Sequence, residues 1–200
     1  MSEHTFPEVM LDLETMGNGP DAAIVAIGAV AFDIEAGALG PCFYCRVDLS
    51  SAINAGGVMD ADTVCWWMAQ DDDARAEIIA DDRKPIGAAL AAFSSWLQST
   101  ADPEPHIWGN GAGFDNVILR GAYQRSGIPA PWAWRHDRCY RTIKALNRDI
   151  RINVAGIKHH ALDDAINQTV HLLDILNPAR RATWLEADKI TQSAFQRTQK

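Results

Sequence analysis

The chain has 200 residues, 48% of them hydrophobic and 22% charged, with a net charge of −8. This is the composition of an ordinary globular domain long enough to bury a sizeable core. It has no apolar run of transmembrane length, no signal-peptide pattern at its start, no repeat and no low-complexity tract, so the expectation is a cytoplasmic protein without a membrane partner. Residues 1–178 are expected to form one domain, with 179–200 as a helical tail of the same domain.

The charge is uneven. Residues 1–119 carry 4 Lys/Arg against 19 Asp/Glu, whereas residues 120–158 carry 9 against 2. A basic block in an acidic chain suggests a local contact with a polyanion rather than broad binding of duplex DNA, the alternative being a solvated basic surface. The four cysteines are scattered and read as reduced, mostly buried thiols. Cys42 and Cys45 have the spacing of half a zinc site, but no second pair follows.

Residues 9–15 (VMLDLET) read as a strand. A period of two puts Asp12 and Glu14 on one face, with Leu11 and Leu13 on the other. Adjacent carboxylates repel, and a hard divalent cation is their natural neutraliser. The apolar stretch from Ala22 to Phe32 reads as a central strand, and Cys42 to Val47 as a third, giving an antiparallel meander. Asp62-Thr63 is expected to cap a helix to Gln70, and Asp71 to Asp73 a second toward Ile79. Pro85 to Leu97 reads as a helix with Ile86, Leu90, Phe93 and Leu97 on one face. A short strand at His106 to Trp108 leads through the Gly-rich 109–113 loop into a helix from Phe114 toward Ser126. A further helix is predicted from Asp137 to Asn147, and an amphipathic one from Leu162 to Leu176. Strands followed by strand–helix units indicate an α/β domain with a mixed sheet.

Two later stretches match the opening pair. Asp115 follows the glycine loop at a helix start, framed by Asn110 and Phe114, and His159 stands five residues before Asp164. Asp-x-Glu, then Asn-x3-Phe-Asp, then His-x4-Asp, in that order, resembles the DEDDh superfamily of 3′–5′ exonucleases over about residues 9–176. The Asp-Leu-Glu-Thr-Met-Gly opening, Trp66-Trp67-Met68-Ala69-Gln70 and Asp137-Arg138-Cys139-Tyr140-Arg141-Thr142 resemble, within it, the phage-type exonuclease A and RNase AS-like exoribonuclease branch, which also occurs in prophages.

The resemblance implies a ribonuclease H-like α/β fold: an antiparallel three-strand meander plus parallel strands in one mixed sheet, flanked by helices. It implies a metal-dependent 3′–5′ exonuclease that releases nucleoside 5′-monophosphates from single-stranded nucleic acid with a free 3′ end. Asp12, Glu14, Asp115 and Asp164 would hold two divalent cations, Mg²⁺ or Mn²⁺, with Asp12 bridging them, and His159 would be the general base. A homodimer is an expectation by analogy.

On the substrate side stand Thr15, Met16, Asn110, Phe114, Trp67, Arg138 and Arg141. Thr15 and Met16 either seat the terminal nucleotide or pack the turn. Trp66, Trp132 and Trp134 are further stacking candidates, and Arg148 and Arg151 further phosphate contacts, against core packing and ion pairing. His160 competes with His159 for the base role but reads as packing or surface; His106, His171 and His4 read as structural or incidental, and Asp163 as a solvated acid. Two rival readings are a catalytically silent nucleic-acid-binding module on an exonuclease fold and a phosphatase acting on mononucleotides.

Overall fold

The computed structural model describes residues 5–180. At its centre is a five-stranded sheet built from β1 (Phe6–Thr15), β2 (Ile24–Asp33), β3 (Ala38–Arg46), β4 (Ala101–Gly109) and β5 (Asp137–Cys139), in the order β3-β2-β1-β4-β5. The first three strands form the expected antiparallel meander, and β4 and β5 join it in parallel. Between β3 and β4 the chain forms α1 (Leu49–Asn54), α2 (Ala61–Met68), α3 (Asp72–Ile79) and α4 (Ile86–Thr100). The later helices are α5 (Asp115–Arg125), α6 (Tyr140–Leu146) and α7 (Ala161–Leu176). No described helix is long and apolar enough to cross a membrane. Residues 181–200, most of the expected tail, lie outside the described residues.

The alternation along β1 divides the core. Val9, Leu11 and Leu13 enter the larger apolar cluster with Phe93 and Leu97 of α4 and Leu119 of α5. Met10 enters a smaller one with Val30, Phe32, Trp108, Tyr140 and three residues of α7. Burial of each such side chain is worth about 1.5–3 kcal/mol. The predicted stripe on α4 (Ile86, Leu90, Phe93 and Leu97) is buried as a unit.

The smaller cluster runs along α7 from Ala165 to Leu173. Toward the other end of the strand pair the rows change character, with Asp12 opposite Gly28 and Glu14 opposite Ala26. A Cβ added at Gly28 would collide with the backbone of Ala161 and Leu162. The missing side chain lets the first turn of α7 rest directly on β2, which sets Asp164 over the row that carries Asp12.

Four local expectations are corrected. The cap of α2 is Asp60, whose carboxylate accepts the Thr63 N–H at 2.7 Å, because a cap must reach the third N–H of the turn and Asp62 already lies inside it. Asp137 does not start a helix: residues 137–139 form edge strand β5, and α6 begins at Tyr140. Its carboxylate accepts Trp132 Nε1 at 2.9 Å and Asn116 Nδ2 at 3.0 Å and pairs with Arg120, so tertiary partners outcompete the local cap signal. Of the four free thiols only Cys45 is buried; Cys42 and Cys65 are exposed and Cys139 is half-buried. Cys42 lies on the outer edge strand, where one face has little covering it. Finally, Asp163 is not simply solvated, since it accepts the Ile157 N–H at 2.8 Å and closes the loop before α7.

Gly28→Ala is expected to cost about 1–3 kcal/mol in urea unfolding, since backbone rather than a flexible side chain must yield. Gly87→Ala in α4, where a Cβ meets nothing within 4 Å, is expected to be neutral or to raise stability by up to about 1 kcal/mol.

Candidate active site

Three elements bring the acidic side chains together. Asp12 and Glu14 come from the end of β1. Asp115 follows the loop beyond the carboxyl end of β4, where Leu11 and Gly109 share a parallel register. Open α/β sheets place ligands at such strand ends. The Leu13 N–H donates to Asp115 Oδ1 at 3.2 Å. Asp164, in the first turn of α7, accepts the His159 N–H at 3.3 Å. One donor atom each from Glu14, His159 and Asp164 lie within 4.8 Å of one another.

The electrostatics follow from burial. Asp12, Glu14 and Asp115 are buried, and Asp164 is half-buried. Loss of solvent, followed by repulsion from Asp115 and Asp164, raises Asp12 well above the carboxylate range. Burial and then Asp12, Asp164 and Asp115 do the same to Glu14. Burial pushes Asp115 up to about 7, although backbone N–H groups and the Arg141 guanidinium oppose the rise. Asp164 is also raised by burial. Asp115 Oδ2 is buried without a hydrogen-bond partner. Four desolvated, mutually repelling oxygen donors with an orphaned oxygen fit a hard divalent cation.

His159 has a φ of 63°, a left-handed conformation costing on the order of 1–3 kcal/mol outside glycine. Its neighbours over-determine it. The His160 N–H donates to Ile157 O at 3.3 Å, the Asp164 N–H to His160 O at 3.0 Å, and the Asn167 side chain bonds both the N–H and carbonyl of Ala155. The His160 ring is clamped. Its Nδ1 accepts the Asp163 N–H, its Nε2 faces Glu77 Oε2 at 3.5 Å, and it stacks 4.3 Å from Tyr44. Glu77 is itself held by Tyr44 Oη at 2.5 Å and by Arg46 Nε at 2.8 Å. His160 therefore packs, and the turn aims His159 at the carboxylates. Burial lowers the pKa of His159, with Lys158 adding to the effect, so the ring is predominantly neutral near pH 7.

Over residues 7–176 the chain matches the 3′-5′ exoribonuclease Rv2179c-like domain. It belongs to that family. No curated protein matches it. Among solved structures it is similar to the nuclease domain of 3′hExo, a DEDDh family member bound to rAMP, at 12% identity and TM-score 0.57, over 88% of this chain and 95% of that one. It is similar to the zinc-bound E. coli ExoI–ssDNA complex at 18% identity and TM-score 0.59, over 92% of this chain but only 43% of the other. It is also similar to S. pombe Pop2p in its Mg²⁺- and Mn²⁺-bound form, at 15% identity and TM-score 0.54, over 85% and 82% of the two chains. These likenesses show the ribonuclease H-like fold. As a member of the Rv2179c-like family, the chain is a 3′–5′ exonuclease.

The residues expected on the substrate side of this Rv2179c-like domain separate into distinct places. Thr15, Trp66, Trp67 and Phe114 line a cleft of about 380 Å³ beside Glu14. Trp67 is buried and donates from Nε1 to Thr15 O at 2.9 Å, so it is a wall, whereas Trp66 is exposed and meets the His159 ring edge-to-face at 4.7 Å. The Thr15 hydroxyl donates to Gly17 O at 2.8 Å. Met16 is buried in the larger core cluster and takes the turn-packing role. Asn110 and Arg141 line a second hollow. Arg138 instead donates to the carbonyls of Arg135 and Asp137. Trp132 is core, and Trp134 is exposed beside β5. His171 accepts the Tyr140 hydroxyl at Nδ1 (2.7 Å) and donates from Nε2 to Ile150 O (2.9 Å), which makes it structural.

Gln168 was not anticipated. Its Nε2 donates to Asp12 Oδ1 at 2.7 Å, and it lies buried one turn beyond Asp164 on the same face of α7. The i,i+4 spacing from Asp164 was the available signal.

Because burial raises the folded-state pKa of Asp115 from 3.8 to about 7, the folded metal-free chain binds more protons than the unfolded chain between those values. The contribution of Asp115 to stability is therefore full below about pH 4 and is lost as pH rises through 7. Thermal melting in EDTA is expected to show a lower Tm at pH 8 than at pH 5. Mn²⁺ should raise Tm more at pH 8, and Asp115→Asn should abolish most of the metal-free pH dependence contributed by this residue.

Proposed function

We propose that this exonuclease hydrolyses single-stranded nucleic acid from a free 3′ end to nucleoside 5′-monophosphates, with His159 as general base. The observation that carries the reading is the convergence of Asp12, Glu14, Asp115 and Asp164 on one buried site with His159 at its rim. The rAMP bound to 3′hExo, the single-stranded DNA and zinc bound to exonuclease I, and the Mg²⁺ and Mn²⁺ bound to Pop2p support the substrate class and a divalent cofactor.

Asp12, Glu14, Asp115 and Asp164 would hold two ions, Mg²⁺ or Mn²⁺. When bound, these supply Lewis acidity toward the phosphate and lower the pKa of the attacking water. The chain's own residues do the rest. Gln168 fixes the rotamer of Asp12 through one oxygen, and the Leu13 N–H does so for Asp115. The neutral His159 ring, held by its left-handed turn, takes the proton released by the attacking water. The cleft between Trp66, Trp67 and Phe114 receives the terminal nucleoside, with exposed Trp66 offering a stacking face.

A second reading has a specific observation behind it: His159 lies close enough to Glu14 and Asp164 to act as a ligand instead of a base. A 5′-labelled oligonucleotide with Mg²⁺ or Mn²⁺ separates the two. His159→Ala is expected to lower kcat by roughly 10²–10⁴ while Mn²⁺ affinity by calorimetry is retained; lost affinity would make it a ligand. Asp12→Ala should abolish turnover, and tight binding without turnover by the unmodified chain would establish the silent-module reading. Gln168→Met is expected to weaken metal affinity or activity by roughly 10–100-fold, because Asp12 loses the donor that orients it.

A further inference from the structure

Five of the described arginines pair with acids, and among the described cations that do not, four stand together. Arg46, Arg75, Arg120, Arg135 and Arg180 each pair with a carboxylate. Arg141, Lys144, Arg148 and Arg151 form no ion pair with any described residue, although acids outnumber bases in the chain. All four are exposed, and all four line one groove of about 680 Å³.

The groove is built rather than incidental. Arg141 and Lys144 lie three residues apart on α6 and so share a face. Lys144 Nζ sits 5.8 Å from the Tyr140 ring, which holds its stem along the helix. The far wall, residues 148–152, is pinned where Ile150 O accepts from His171 Nε2. Its near end reaches the carboxylates. Asn110 lines the groove and its backbone N–H acts electrostatically on Asp115, as does the Arg141 guanidinium, which lies against Gly111. The loop from Asn110 to Phe114 thus has one end in this basic groove and the other in the aromatic cleft.

We propose that this groove is the track for the substrate strand: Arg141, Lys144, Arg148 and Arg151 bind the backbone phosphates that lie upstream of the scissile one. The inference rests on the exonuclease reading above. Terminal nucleoside and upstream phosphates occupy hollows on opposite sides of the 110–114 loop, and the carboxylates lie between. Contacts of this kind read charge and not base identity, so the track is indifferent to sequence. Arg138 does not line the groove and has no part in it.

The test is the salt and length dependence of kcat/KM on homopolymeric strands of two to ten nucleotides, with Mn²⁺ saturating. Each phosphate contact on a single strand contributes about 0.7 to the slope of log affinity on log salt concentration. The variant Lys144→Ala/Arg148→Ala/Arg151→Ala is expected to have a slope about 2 shallower than the unmodified protein. It should lose roughly tenfold or more on the ten-nucleotide strand at low salt, and several-fold less on the dinucleotide. Arg148→Lys/Arg151→Lys, which keeps the charge, should retain the steep slope. Arg75→Ala and Arg135→Ala, paired elsewhere on the surface, should leave slope and length dependence unchanged. A triple variant that melts like the unmodified protein with the same slope and length dependence would overturn the track. A change in oligomeric state with an unaltered slope would also overturn it, assigning the groove to a contact between copies. Absence of hydrolysis on every strand by the unmodified protein would instead overturn the exonuclease reading.

Discussion

Four carboxylates withdrawn from water on one side of a sheet are the constraint from which the rest of the structure follows. Removing one ionised carboxylate from solvent costs several kcal/mol, and placing three more beside it adds repulsion. No described cationic side chain lies within the cluster: His159 is predominantly neutral near pH 7, and Arg141 stands outside in the groove. Neutralisation must therefore come from protons or from cations taken up from solution. A site that is unstable alone is one that bound divalent ions would stabilise, in line with the proposed cofactor.

The fold holds the acids while leaving them able to coordinate. Gln168 bonds Oδ1 of Asp12, the Leu13 N–H bonds Oδ1 of Asp115, and the His159 N–H bonds Oδ2 of Asp164. In Asp115 the second oxygen has no partner at all. Gripping a carboxylate by one oxygen locks its rotamer without exhausting its lone pairs. The Gln168–Asp12 bond depends on the height of α7 above the sheet, which the bare backbone at Gly28 sets. The same helix is tied down at its other end by Leu172 and Leu173 in the smaller apolar cluster, so a packing contact far from the chemistry fixes the position of Asp164.

How much of this was legible in the sequence depends on the range of the interaction that decides each feature. The period of two placed Asp12 and Glu14 on one face, because a strand's alternation is local. The ordered triplet of motifs carried the fold and the convergence of Asp115, His159 and Asp164. Signals that are settled over long separations were not readable. Asp137 has the look of a helix cap, but Trp132, Asn116 and Arg120 claim its carboxylate and draw it into an edge strand. Met16 follows the acidic pair directly, yet its side chain turns into the core. Glu77 is one acid among many in the sequence, and only the folded chain shows it clamping His160 through Tyr44 and Arg46. Gln168 lay within local reach, one helical turn from Asp164, and was missed because glutamine carries no charge to draw notice.

The distribution of charge explains how an acidic chain can handle a polyanion. At a distance, a net charge of −8 repels a nucleic acid strand, but at physiological salt that repulsion fades over about 8 Å. Inside that range only nearby charges count. Pairing Arg46, Arg75 and Arg135 with local acids silences them as phosphate contacts, whereas the cations along α6 and residues 148–151 are left unpaired. The result is attraction concentrated in one groove that ends at the carboxylate site. A strand held there finds acidic residues in excess over the rest of the chain, which discourages competing modes of binding. Negative charge in the first half of the chain then serves specificity of placement, and the carboxylates at the groove's end become accessible to phosphate only once cations have neutralised them.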